Sequence, residues 1–87
     1  MTTKPPSRVK PGSGTNEERL AYEAVAGIPT AEPHDLDRLG YNVWRWMTTR
    51  LDTLEKAVHI AGAKLLVSEE EAVATIRTRL RDAGVTL

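Results

Sequence analysis

The chain has 87 residues, with 12 Lys and Arg balanced by 12 Asp and Glu, and at 9.6 kDa it amounts to one small domain at most. Cysteine is absent and aromatics make up only 5%, which excludes a zinc finger, an iron–sulfur protein, a disulfide-stapled domain and a thiol enzyme. No run approaches the ~18 apolar residues of a membrane-spanning helix, and the opening MTTKPPSRVKPGSG lacks the apolar stretch of a secretory signal.

The zero net charge hides an alternation. Residues 1–14 carry Lys4, Arg8 and Lys10 and no acid, whereas residues 15–37 carry six acids against Arg19. Residues 38–66 are again basic, with five bases and two acids, and residues 67–87 are close to balanced. An acidic front and a basic middle can pair within or between chains, and the same alternation occurs on solvated helices.

In chain order, residues 1–14 are expected to form a flexible basic arm: Pro5, Pro6 and Pro11 disfavour helix, and Gly12, Ser13 and Gly14 add freedom. The remainder, 15–87, is expected to be a single helical domain. A short helix over about 16–26 follows from the Thr15–Glu18 capping-box spacing, the apolar face of Leu20, Ala21, Ala24 and Val25, and the stop at Gly27. Pro29 and Pro33 then impose an irregular connection.

The dominant expectation is one long amphipathic helix over about 35–66, roughly 47 Å long at about 1.5 Å per residue. With about 100° per residue, Leu36, Leu39, Val43, Trp46, Met47, Leu51, Leu54, Val58, Ala61 and Leu65 share one stripe, with Trp44 at its edge. From Leu51 the apolar steps run 3, 4, 3, 4, a coiled-coil seam for two heptads, which is also the pattern of an antiparallel helical hairpin or small bundle. A last helix over about 69–83 is punctuated by Ser68 and Glu71 at its start and Gly84 at its end, with Val73, Ile76, Leu80 and Ala83 inward. A tight Val67–Ser68 turn would return it onto the long helix, with Ile60 and Leu66 as the docking surface. The fold class is therefore all-α.

For catalysis the sequence offers little. His34 lies among Glu32, Asp35 and Asp37, and Glu55 and His59 have the i, i+4 spacing of a helical metal pair. Acids at a helix start are accounted for by the helix dipole, and the Glu55–His59 pair falls away from the apolar stripe. No glycine-rich phosphate loop exists, so no catalytic residue, metal or cofactor is expected. Membrane-surface binding lacks the bordering lysines it needs.

The expected function is instead a non-enzymatic helical assembly or adaptor protein, working through helix–helix contacts. Its partner or self-association interface is expected at Leu39, Val43, Trp44, Trp46, Met47, Arg50, Leu51, Leu54, Val58 and Leu65, because tryptophan and arginine anchor interfaces. Arg50 falls inside the stripe, either snorkelling and stacked on Trp46 or reaching Glu17, Glu18 or Glu23. Partners are expected to be protein: a homo-oligomer or a larger assembly. With eight arginines to four lysines, the composition suits a GC-rich bacterial or phage source, placing the protein in the cytoplasm or in a phage particle. The alternative is a small DNA-associated regulator that uses the basic arm and the arginines.

Overall fold

In the computed structural model, residues 15–87 are described; the expected arm over 1–14 lies outside the described residues. The described residues form four helices and no strand, α1 (Thr15–Val25), α2 (Pro33–Thr49), α3 (Leu54–Ile60) and α4 (Glu69–Asp82), so the chain is all-α.

α1 ends at Gly27, whose φ of +79° is the left-handed conformation that closes a helix. The connection then runs through Pro29 to α2, which begins with Pro33 in the first turn, where the missing N–H costs nothing. Glu32 is extended (φ −140°, ψ 152°), and its N–H donates to the Asp35 carboxylate at 3.0 Å. The buried Asp35 thus serves the helix start, as its position in the first turn suggests.

The expected long helix over 35–66 is two helices and an extended segment. α2 stops at Thr49, and the physical reason lies in the run Thr48-Thr49-Arg50-Leu51-Asp52-Thr53. The hydroxyls of Thr48 and Thr49 both donate to the Arg45 carbonyl, at 3.0 and 2.9 Å, competing for helix backbone acceptors. Arg50 turns left-handed at φ +51°, its N–H still donating to the Trp46 carbonyl at 2.8 Å. Thr53 then starts a new helix, its hydroxyl accepting the Lys56 N–H at 3.1 Å. A second left-handed residue, Gly62 at φ +69°, follows α3. The described residues span 38 × 29 × 22 Å, so no 47 Å helix exists within them. The heptad seam goes with it, because Leu51 lies in the turn and Leu65 in the extended segment.

The α3–α4 connection is correspondingly longer than a tight turn at Val67–Ser68. Its middle runs antiparallel to the α1–α2 connection: Ala31 N–H donates to the Lys64 carbonyl and Leu66 N–H to the Pro29 carbonyl, both at 2.9 Å, around the Thr30–Leu65 bridge. Ile60 and Leu66 do not dock α4; they are 58% and 67% exposed.

α4 forms where expected. Ser68 Oγ accepts the Glu71 N–H at 3.0 Å. At the other end Gly84 N–H donates to Arg81 O at 3.0 Å and Val85 N–H to Leu80 O at 2.9 Å, with Gly84 at φ +95°. That is the paired closure of a Schellman motif. One core joins Ala21, Ala24 and Val25 of α1, Ile28 of the following connection, Leu39 and Val43 of α2, Leu54 and Val58 of α3, and Ala72, Val73, Ile76 and Leu80 of α4.

α1 packs most extensively on α2, and the approach is close at one point. A Cβ at Gly40 would stand 2.6 Å from Tyr22 Cε1, nearer than atoms can pack, so the ring sits directly on the α2 backbone. Gly40→Ala would normally favour a helix by about 1 kcal/mol. Here overpacking, at about 1–3 kcal/mol, reverses the sign. Gly40→Ala is expected to lower the melting temperature followed by circular dichroism, and an unchanged or raised value would show that Tyr22 moves aside freely.

Candidate interaction surface

The expected interface residues divide by depth. Leu39, Val43, Leu54 and Val58 are buried in the chain's own core and unavailable to a partner. Trp44, Trp46, Met47 and Leu65 are half-buried and pack against that core. Only Arg50 and Leu51 stand out from the surface, Leu51 at 84% exposure. The stripe therefore folds largely onto the chain's own helices, and of the expected residues those left exposed lie at the corner where α2 gives way to α3.

That corner is built around Trp46. Its indole N–H donates to the Asp52 carbonyl at 2.7 Å, closing the reversal of the backbone. The Arg50 guanidinium lies 4.6 Å from the Trp46 ring centre and donates to the Thr86 carbonyl. Arg50 thus stacks on Trp46 and ties the segment after α4 to the end of α2, and it does not reach Glu17, Glu18 or Glu23. A left-handed non-glycine residue costs about 1–2 kcal/mol. Stacking of an exposed cation on an aromatic face returns about 0.5–1 kcal/mol, and the charge-assisted hydrogen bond adds to it.

Beside Trp46 opens a half-open cleft of about 110 Å³, lined by Asn42, Arg45, Trp46, Thr49, Leu51, Asp52, Ala57 and Ile60. Asn42 fixes its floor, donating from Nδ2 to the Ala57 carbonyl at 3.2 Å and so holding α2 against α3. Arg45 stands on its rim with its guanidinium 6.0 Å from the Tyr41 ring centre. Arg45, Asp52 and Ile60 were not among the expected interface residues. The local signal for them was the Thr-Thr and Asp-Thr pairs that break the helix, which place these residues side by side.

Comparison with protein-family models, with curated proteins and with solved structures finds no match to this chain.

The remaining chemistry-bearing groups are joined as clasps between elements. Glu55 and His59, the spaced pair on α3, do not face one another's ligand: Glu55 accepts from Arg77 at 2.9 Å and His59 Nδ1 lies 3.1 Å from the Glu69 carboxylate, both partners on α4. His34 lies 3.4 Å from Glu32, both exposed, while Asp35 is turned to the helix start. Among the described residues no group of three or more His, Asp or Glu is placed to hold a metal ion. Arg79 donates to the Ala24 carbonyl at 3.1 Å and to the Ala26 carbonyl, so a cation of α4 closes the C-terminal end of α1. No helix among the described residues is long and apolar enough to cross a membrane.

The Arg77 guanidinium donating to Glu55 holds that carboxyl below its ordinary value of 4.5, and Glu55's own backbone N–H acts in the same direction. A carboxylate whose pKa is lower in the folded chain adds stability above its unfolded value and loses it as the pH falls through the folded value. The pair is exposed, so the effect is small. Glu55→Gln is expected to melt slightly below the wild type at neutral pH, with the gap closing once the pH drops below 4.5; thermal melts across that range check it, and a constant gap would reject the linkage. For the corner, Arg50→Ala is expected to speed amide hydrogen exchange at residues 86–87 while leaving α1 and α4 protected; uniform loss of protection would mean that Arg50 supports the whole fold instead.

Proposed function

We propose that the protein is a non-enzymatic assembly or adaptor module, binding other protein through the corner between α2 and α3. It would serve as a small accessory or structural subunit of a larger bacterial or phage complex, in the cytoplasm or in the particle itself. The observation that carries this reading is Leu51. A leucine held out of the core at 84% exposure, beside an open cleft and the 58% exposed Ile60, leaves unburied apolar surface that the chain could cover by binding. Leu51 adds nothing to the monomer's own core, so its exposure costs free energy of about 25 cal/mol per Å² in the unbound state.

Catalysis finds no comparable support: the ionisable clusters are distributed over exposed ion pairs, one local to the start of α2 and two between α3 and α4. The DNA-associated alternative loses cations to the fold. Arg77 is paired with Glu55, Arg79 is engaged on the α1 carbonyls and Arg50 on Trp46 and Thr86, which leaves that role to the basic residues of 1–14 and to exposed cations such as Arg45 and Arg81.

A photo-reactive amino acid placed at Leu51, compared with the same group at the exposed Thr78 on α4, tests the reading in cells that make the protein. Protein adducts are expected from position 51 and not from position 78. Equal labelling, or none from 51, would reject the corner as an interaction surface. Tight binding of duplex DNA that weakens steeply with salt would favour the regulator instead.

A further inference from the structure

The cleft and Leu51 share one rim, and this adjacency bears on what the corner binds. A protruding apolar side chain and a recess beside it are the two halves of a contact that closes on itself. In a two-fold assembly the same patch meets itself, so a residue that enters the partner's recess is repaid by the partner's copy entering its own. The recess is of the right size class: about 110 Å³, where an apolar cavity of about 150 Å³ admits a benzene ring. Leu51 is the only cleft-lining leucine, and Ile60 and the Trp46 ring give it apolar walls.

Charge on the rim has the same property. Arg45 and Asp52 both line the cleft and both are exposed. The Asp52 carbonyl is taken by Trp46, while its carboxylate is left at the surface beside the recess. A two-fold axis running between Arg45 and Asp52 sets each Arg45 against the other copy's Asp52, unlike against unlike. A heterologous partner would need its own complement to both charges; a second copy brings it already.

We propose that a second copy of this chain docks at the α2–α3 corner across a two-fold axis. Each Leu51 enters the other copy's cleft, and Arg45 of each copy faces Asp52 of the other. This rests on the reading of the corner as an interaction surface and names its occupant. Arg50 and Thr86 stay paired behind the contact and hold the turn in the shape that presents Leu51.

The experiment is solution mass by light scattering on the full chain over a hundredfold concentration range, with four variants. The wild type is expected to approach twice 9.6 kDa. Leu51→Glu, at a position outside the monomer's core, is expected to keep its helicity and weaken the dimer at least about tenfold. Arg45→Glu and Asp52→Arg are each expected to weaken it, and the double exchange to restore it. A wild type that stays at 9.6 kDa throughout overturns the second copy as occupant, while adducts from position 51 would still stand for a different protein at the same corner. A dimer untouched by Leu51→Glu overturns both the occupant and the corner. A double exchange that fails to recover the dimer overturns the two-fold pairing of the rim.

Discussion

The Trp46 indole donating to the Asp52 carbonyl closes the reversal between α2 and α3, and most of the remaining arrangement follows from that reversal. A straight helix through residues 35–66 would set Leu39 and Leu65 roughly 39 Å apart, too far for two short flanking helices to gather both ends into one core. Folding it at residues 50–53 brings Leu54 and Val58 to the same cluster as Leu39 and Val43. The reversal also leaves a residue at its apex with no inward side, and Leu51 is that residue. The exposed leucine and the compact core are therefore two outcomes of one turn.

Polar side chains in this chain act mainly at the ends of helices and between them. Asp35 and Ser68 satisfy N–H groups at the starts of α2 and α4, Arg79 meets the last carbonyls of α1, and Arg50 reaches a carbonyl beyond α4. The first three join a charge or hydroxyl to backbone groups at a helix terminus, and the last ties the segment after α4 to the end of α2. With an apolar core drawn largely from Ala, Val and Leu, such end-closure supplies specificity that packing alone would leave loose.

How much was legible follows from how local each signal is. α4 reads correctly from Ser68 to Gly84 because both of its ends are set by residues adjacent to them. α1 is similarly clear from its apolar face and Gly27. The break after Thr49 was obscured because periodicity is blind to backbone competition. The apolar steps through Leu51, Leu54, Val58, Ala61 and Leu65 continue a helical pattern that Thr48, Thr49 and Thr53 interrupt chemically. Deductions from a continuous helix went with it: Arg50 inside an apolar stripe, Ile60 and Leu66 under α4, and Leu39, Val43, Leu54 and Val58 at an exposed surface. Of the expected interface residues, Arg50 and Leu51 stay exposed, and Trp44, Trp46, Met47 and Leu65 are half-buried against the core. The cleft beside them was not legible, because Asn42 and Ala57 meet only once the chain has folded back.

The small bridge between Thr30 and Leu65 has a consequence for how the chain reaches this state. Its two hydrogen bonds close a loop that contains the whole of α2 and α3, so neither can form until that pair has folded back on itself. Helical turns form within about a microsecond, whereas closing a loop of this length pays an entropy that grows with its size. The bridge thus holds the reversal from behind. With it made, α1 and α4 leave the same point in the same neighbourhood, and their meeting through Arg79 becomes a short-range search rather than a long one.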